Sequence, residues 1–372
     1  MKILVISHTS VVSEYRKRFQ YLAQSDPDIK LRVIVPDQWL EMNRWIKTHQ
    51  QGFDKAYDLR IFRPIRFFRK KPLLNTTYFF PQLVKEMLDF RPDIIDIIEE
   101  PYSLITTYAI FLNKILKINA KICFFSAQNI YKTFPFPFNL LERYVLDNAD
   151  MAFPISRDVE EILRQKGYCN KTTVIPLGTE NIESENVGKE KNIIRIGFIG
   201  RLEYSKGVDL FLKTAEKMRR HSDIVFHIAG SGSMEEDVKK VCLEYPNVIY
   251  EGFLSNKNTY DYYRRMHIII VPSRTMKNWK EQFGRVIVEA MAYNCIVIGS
   301  DSGEIPNVIG DEDLVFGEDN EDLIYEKLLE IIEKINDNEF IRSYGDTIRS
   351  NLKKYSWESI TETILSSYNS LR

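Results

Sequence analysis

The sequence predicts an α/β protein built from two doubly wound parallel sheets. Three observations carry that prediction. Short apolar runs recur through the 372 residues, and amphipathic stretches of helical length separate them. The alternation breaks once, at a polar stretch near residue 180, and then restarts. Strands that are apolar throughout belong to parallel sheets covered on both faces. The length suits two domains of ordinary size, and 44% hydrophobic with 28% charged residues is a globular composition.

In the first half, strands are expected at 2–7, 31–35, 93–98, 121–125, 151–155 and 172–176. Helices are expected between them at 14–24, 81–90, 103–117 and 157–166, the last opened by Ser156 as an N-cap. The stretch TENIESENVGKEKN (179–192), with only Ile182 and Val187 apolar, is expected to be a linker. The first domain is therefore drawn at 1–180. Beyond it strands are expected at 193–200, 224–230, 247–250, 267–273, 295–300 and 313–316. A helix is expected at 207–220 with Leu210, Phe211, Thr214, Ala215 and Met218 on one face, and residues 320–372 read as mostly helical.

Net charge is −1 but unevenly spread. Residues 1–180 carry 26 Lys and Arg against 20 Asp and Glu, while residues 181–372 carry 25 against 32. Halves of opposite sign suit different ligands. The four cysteines show no CxxC spacing, so neither a zinc site nor a disulfide framework is expected. MKILVISHTS reads as a first strand rather than a signal peptide, and no apolar run reaches the ~18 residues of a membrane span. A cytoplasmic protein is expected, one that at most lies on the inner face of a membrane.

Several stretches could carry chemistry. In IGFIGRLEYSKGVDLFL, a strand end at Gly200 is followed by Arg201 and Lys206 and then by a helix near Gly207, an arrangement that suits an anion, above all a diphosphate. In HIAGSGSMEED, Gly230 and Gly232 allow close backbone approach after a strand, and Ser233 with Glu236 is expected as a capping box. In WKEQFGRVIVEAMAYNCIVIGSDSGEIP, the helix from Gly284 to about Tyr293 is apolar at almost every position, so it is expected to be buried nearly all round. Yet it contains Glu289, with Glu281 eight residues earlier and Phe283 and Gly284 at its first turn. A carboxylate in such a helix needs a partner. The partner is either Arg285, four residues back, or a ligand diol. Ser302 and Gly303 follow in a second turn, with N–H groups for a phosphate or sugar or simply as a connection.

In order and spacing, GRLEYSKG, HIAGSGS, VPSRTMKNWKEQFGRVIVEAMA and GSDSGEIPNVIG resemble the family 4 retaining glycosyltransferases of the GT-B fold. The spacing of Glu281 and Glu289, E-x7-E, is that family's signature. The resemblance covers nearly the whole second domain and extends more weakly to VIPLG (174–178) and ISRDVEEILRQKGY (155–168). It implies two Rossmann-like domains facing across a cleft, a nucleotide-sugar domain at 181–355, and a closing helix, with YSWESI at 355–360, that returns over 356–372 to the N-terminal domain. It implies that Arg201 and Lys206 neutralise the diphosphate of a nucleotide sugar and that Glu281 holds hydroxyls of the transferred sugar. Phe283 and Gly284 would approach sugar and phosphates through backbone, and Glu289 would hold the ribose. No metal and no other cofactor is expected. The implied reaction moves a hexose-type sugar to a saccharide or lipid-linked saccharide, in polysaccharide or cell-envelope glycan synthesis. A nucleotide-sugar epimerase and a non-catalytic nucleotide-sugar-binding protein are the alternatives.

The first domain departs from the family pattern. SHTSVVSEYRKRF stands where many members have a Gly-Gly loop, and FFSAQNIYK where many have a His. His8, Glu100, Gln128 and Asn129 are the acceptor-side candidates, against the alternative that they cap loops. The stretch RIFRPIRFFRKKPLL (60–74) has six basic residues, none acidic, and Phe62, Phe67 and Phe68 among them. It is either a solvated loop or a contact with anionic headgroups; nucleic acid is not expected as a partner.

Overall fold

The computed structural model describes residues 1–41, 44–70, 72–179, 192–254 and 256–372. Of the expected linker 179–192, residues 180–191 lie outside the described residues. The chain divides into two compact units, one of Met1–Gly178 with Trp357–Arg372 and one of Thr179–Ser356.

The first unit is built on a parallel sheet. Its strands are β1 (Lys2–Ile6), β2 (Lys30–Pro36), β3 (Asp58–Phe62), β4 (Ile94–Ile97), β5 (Lys121–Ser126), β6 (Met151–Pro154) and β7 (Lys171–Thr172), in the order β7-β6-β5-β4-β1-β2-β3. The apolar runs are explained by the pleat, because successive residues point to opposite faces. Leu4, Ile6, Ile34, Ile95, Ile97 and Phe124 pack into one core. Ile3, Val5, Val33, Ile94, Cys123 and Phe153 pack into another. Each fully buried Ile, Leu or Val contributes about 1.5–3 kcal/mol of transfer free energy, so both faces must be covered. Helices α1 (Ser13–Gln24), α2 (Leu83–Phe90), α3 (Leu104–Ile115), α4 (Phe138–Asn148) and α5 (Arg157–Gln165) belong to this unit. Ser156 caps α5 as expected, its Oγ accepting from the Val159 N–H at 3.4 Å.

The second unit has strands β8 (Ile194–Arg201), β9 (Ile224–Ser231), β10 (Val248–Gly252), β11 (Ile268–Val271), β12 (Ile296–Ser300) and β13 (Val315–Phe316), in the order β10-β9-β8-β11-β12-β13. Its helices are α6 (Val208–Lys217), α7 (Glu235–Glu244), α8 (Asn256–Arg265), α9 (Arg285–Ala292), α10 (Ile305–Ile309), α11 (Glu321–Lys334) and α12 (Asn338–Lys354). The strand order reverses between β8 and β11, and ligands of open α/β sheets bind beyond the strand ends at such a point.

The last helix, α13 (Trp357–Asn369), packs on the first unit. Trp357, Ile360, Ile364 and Tyr368 join the core of Ile3 and Val5. The Tyr368 hydroxyl donates to Asp96 Oδ2 at 2.7 Å, inside the sheet. Burial raises the Asp96 carboxyl above its ordinary pKa, against the charge of Arg18 and the Tyr368 hydrogen bond.

The sequence reading does not anticipate β3, and residues 60–62 of the basic stretch form its end rather than a loop. Ile65–Arg66 then pair antiparallel with Tyr78–Phe79. The expected strand at 172–176 shortens to β7, although Thr173 and Ile175 still donate to the Ala152 and Pro154 carbonyls of β6 at 3.1 and 2.9 Å. The expected capping box at Ser233 and Glu236 does not form. α7 starts at Glu235 with Met234 as an N-cap that makes no side-chain bond. The turn is closed by backbone instead: the Met234 N–H donates to Leu202 O at 2.9 Å, and the Glu236 side chain pairs with Lys239.

One buried ion pair organises the entry to α1. Arg16 Nε and Nη2 donate to Asp54 Oδ1 and Oδ2, each at 3.0 Å, with both side chains fully buried. Arg16 Nη1 donates to Ser10 O at 2.9 Å and to Val11 O at 3.3 Å, so the same guanidinium fixes the loop after β1. Burial works against the Asp54 charge, but hydrogen bonds from Arg16 and Tyr57 hold its carboxyl below the ordinary value. Replacing Arg16 by Met leaves that carboxylate buried without its partner. We expect a loss of about 3–5 kcal/mol in chemical unfolding, with Arg16→Met and Asp54→Asn together costing less than the sum of the two single changes.

Candidate functional site

The loops after β8, β11 and β12 meet at one edge of the second sheet. Arg201 is the last residue of β8; its guanidinium is exposed and sits 2.8 Å from Glu203. A single 3₁₀ turn, Tyr204–Lys206, leads to Gly207 and α6. Lys206 Nζ lies 2.5 Å from Glu281 Oε2 and 4.7 Å from the centroid of the Trp279 ring. Ser273 Oγ donates to the same Glu281 oxygen at 3.1 Å. Glu281 is buried, so its carboxylate is held by donors from two loops. Residues 75 positions apart thus form the central ion pair.

A second ion pair, absent from the sequence reading, fixes those two loops. Arg274 is buried and reaches Asp209 with Nη1 and Nη2 at 2.6 and 2.7 Å. Its Nε donates to Asp319 at 2.6 Å, and Nη1 also donates to Tyr204 O at 2.8 Å. Against the cost of burial, the hydrogen bonds to Asp209 and Asp319 and the charge of Asp209 raise its pKa. The signal in the sequence is an arginine directly after a strand, in VPSRT; its acidic partners lie 65 and 45 residues away.

The glycines of the site are contact points between backbones. A Cβ on Gly303, at φ +58°, would stand 2.1 Å from the Glu281 carbonyl oxygen. The Glu304 N–H donates to that same oxygen at 3.3 Å. A glycine is therefore what lets the β12 loop brace Glu281. Ser302, fully buried, shares a 3.0 Å hydrogen bond with Thr275. On the other side, Gly230 faces Gly200 across β8 and β9, where a Cβ would lie 1.8 Å from Gly200 O. Gly232 sits against Leu202 O in the same way.

Gly284 is the N-cap of α9, at φ +79° and with no side-chain cap bond. Phe283 before it is buried, its ring edge-on to Tyr355 at 5.4 Å. The helix is not buried all round, as its composition suggested. Arg285, Val286 and Glu289 are partly exposed, and Arg285 Nε lies 2.6 Å from Glu289 Oε1. Tyr263 donates to Glu289 Oε2 at 3.0 Å. The internal ion pair is therefore present, and Glu289 has two protein partners. Arg285, one of the two partners the sequence offered for Glu289, is thus in contact with it; only the all-round burial fails, because Arg285 and Glu289, one turn apart, line a single edge.

In the first unit the structure picks out Glu99 beside the named candidates. Glu99 Oε2 is 2.6 Å from His8 Nδ1, and its Oε1 accepts from the His8 N–H at 2.7 Å and the Tyr78 hydroxyl at 2.6 Å. His8 also packs on Trp39 at 4.9 Å. A carboxylate on Nδ1 leaves Nε2 as the ring atom able to accept a proton. Glu100, next in sequence, turns to the end of β5: Ser126 Oγ and the Ala127 N–H donate to it at 2.8 and 2.9 Å. Burial pushes its pKa to about 7, outweighing those bonds and the charge of Lys166. Gln128 donates to Ile130 O at 2.9 Å, and Asn129 is buried in the same loop. The two neighbouring carboxylates look alike in sequence; only the strand ends they turn toward separate them.

Two parallel α/β units, the second with this ion pair at the edge of its sheet, define a GT-B fold of the kind found in glycosyltransferases. Residues 179–347, within the second unit, match the model of the family described as glycosyl transferases group 1. A phosphatidylinositol N-acetylglucosaminyltransferase gpi3 subunit of Schizosaccharomyces pombe is 27% identical over 242 residues, covering 63% of this chain and 51% of its own length. An uncharacterised 41.2 kDa protein of the cps region of Klebsiella pneumoniae is 32% identical over 157 residues, covering 42% of this chain and 37% of its own length. The match thus spans about half, or less, of the length of these curated relatives. A solved structure described as trehalose-6-phosphate from E. coli bound with UDP-2-fluoro glucose has a TM-score of 0.72 at 13% identity over 99% of each chain, a likeness of fold.

Two outcomes follow from this geometry. Gly303→Ala should cost about 2 kcal/mol or more in chemical unfolding, because strain at positive φ adds to a collision with Glu281 O. Glu100 should make stability depend on pH. Its folded pKa of about 7 exceeds the ordinary 4.5, so the charged form is disfavoured in the fold. Stability from this group is full below pH 4.5 and falls as pH rises toward 7, by at most about 3 kcal/mol. Unfolding curves of wild type and Glu100→Gln, measured across that window, should differ in slope accordingly.

Proposed function

We propose that the chain is a retaining glycosyltransferase that moves a hexose-type sugar from a nucleoside diphosphate sugar to a saccharide or lipid-linked saccharide. The observation that carries this reading is the Lys206–Glu281 pair at 2.5 Å on the carboxyl edge of the second sheet, inside the segment that matches the family. Lys206 and the exposed Arg201 are placed to take a diphosphate, so the reading needs no metal to neutralise the leaving group. Glu281, released from Lys206 as phosphate competes for the ammonium, would accept hydrogen bonds from hydroxyls of the transferred sugar. Glu289 would take the ribose diol, exchanging its bond to Arg285. Retention follows if the leaving phosphate helps deprotonate the acceptor on the face it departs from.

The relatives support the finer parts of this reading. The E. coli structure is described as bound with UDP-2-fluoro glucose, which favours a nucleotide-sugar donor here. The S. pombe protein is named for transfer of N-acetylglucosamine to phosphatidylinositol, which favours a lipid-linked acceptor. The Klebsiella protein comes from a cps region, which favours polysaccharide or envelope glycan synthesis. Among the described residues no helix is long and apolar enough to cross a membrane. We place the protein in the cytoplasm, with peripheral contact to the membrane through 60–74. In the first unit, His8, fixed by Glu99, would accept a hydrogen bond from the acceptor hydroxyl through Nε2.

The donor reading is tested by a thermal-shift screen of nucleotide sugars, in which the matching donor at 100 times its Kd should add about 2.7 kcal/mol of stability. Glu281→Ala should bind that donor yet lose on the order of 10²–10³ in turnover, followed as release of nucleoside diphosphate. Near-normal turnover would remove its assigned role. Appearance of an isomerised donor sugar would point to an epimerase, and binding without turnover to a silent binding protein.

A further inference from the structure

The basic stretch of the first unit carries an apolar surface that none of the described residues covers. Ile65, Phe67 and Phe68 are 45, 61 and 47% exposed. They do not stand alone. The Phe67 ring stacks on Phe79 at 6.2 Å, and Phe79 meets Tyr108 edge-on at 5.3 Å. Tyr108 lies on α3 in line with Phe111 and Ile115, three and seven residues on, so the three share one helix face. Phe111 and Ile115 are 49 and 58% exposed. An aromatic ladder thus joins the outer edge of β3 and its following strand to the solvent face of α3.

Within the stretch itself the charges have one sign. Arg63, Arg69 and Lys70 are exposed, and residues 59–70 contain no acid. Lys117, at the end of α3, is exposed as well. Arg66 has a different role: it reaches Asp37 at 3.1 Å and lies over Trp39 and Trp45, at 5.4 and 5.1 Å, and so stiffens the base of the patch. Large exposed apolar patches are kept where something binds them. Aromatic and aliphatic side chains bordered by Arg and Lys without acids match a bilayer interface, whose headgroup phosphates lie just above its acyl chains.

We propose that this face of the first unit seats on an anionic lipid bilayer. Phe67, Phe68, Phe111 and Ile115 enter the interface, and Arg63, Arg69 and Lys70 lie among the headgroups. This deepens the proposed function and rests on it for its purpose, since a lipid-linked acceptor is presented at such a surface; the geometry itself is independent of the donor site.

The experiment is sedimentation of the full chain with vesicles of phosphatidylcholine alone and of phosphatidylcholine mixed with phosphatidylglycerol, at low ionic strength. Recovery with the anionic vesicles only, weakened by salt, is expected. The variant R63Q/R69Q/K70Q should bind them on the order of 100-fold more weakly, and F111S/I115S on the order of 10-fold more weakly. Equal recovery of wild type with both vesicles, recovery with neither, or unchanged binding of F111S/I115S overturns the proposal. The donor-induced thermal shift is measured on the same proteins. It persists in both variants if they are folded. Its loss from the wild type would remove the donor reading while leaving the vesicle result to decide this one.

Discussion

The bond between Lys206 and Glu281 holds the second unit's strand-end loops in a working arrangement. Taking a carboxylate and an ammonium partly out of water is costly, and their attraction offsets that cost only with good geometry and further donors. Both conditions are met: the pair stands at 2.5 Å and Ser273 adds a hydroxyl to the same oxygen. The bidentate contact of Arg274 with Asp209 fixes the loops that carry the two partners. Gly303 braces the Glu281 backbone from the third loop. The loops are thus organised by the protein's own groups, and on the proposed reading an incoming anion would share an ammonium already in place.

The helix after this loop shows a related economy. α9 buries Ile287, Val288, Ala290, Met291 and Ala292 and leaves Arg285 and Glu289 on its one open edge. Their bond at 2.6 Å holds the carboxylate in place. Tyr263, packed in the core with its hydroxyl on Glu289, fixes the second oxygen. On the proposed reading, a diol arriving there would exchange one set of donors for another, with little net charge desolvated in the exchange.

The first unit uses buried charge differently. Arg16 and Asp54 are fully enclosed and tie the loop after β1 to the segment before β3. That loop carries His8, whose ring is fixed by Glu99, Tyr78 and Trp39. This loop therefore has an ionic anchor and an aromatic cage. Glu100, one residue from Glu99, is held by two neutral donors, Ser126 and the Ala127 N–H, and burial outweighs them and raises its pKa.

The sequence by itself determined the two α/β units and nearly every strand of the second sheet, and it set glycine and cations in the loops after β8 and β11. Those features are local: a strand shows as an apolar run of fixed length, and a strand-to-helix loop as glycine and charged residues between the two. It did not determine β3, whose residues Asp58–Phe62 lie at a sheet edge and so lack a two-sided apolar pattern. Nor did it reveal Arg274, Asp54 or Glu99, whose partners lie tens of residues away. Whether Glu289 meets Arg285, and whether Phe67 and Phe111 belong to one surface, was left to the tertiary structure. Burial, and the direction a side chain takes at a strand or helix end, are set by what packs against it, and a linear pattern does not contain that neighbour.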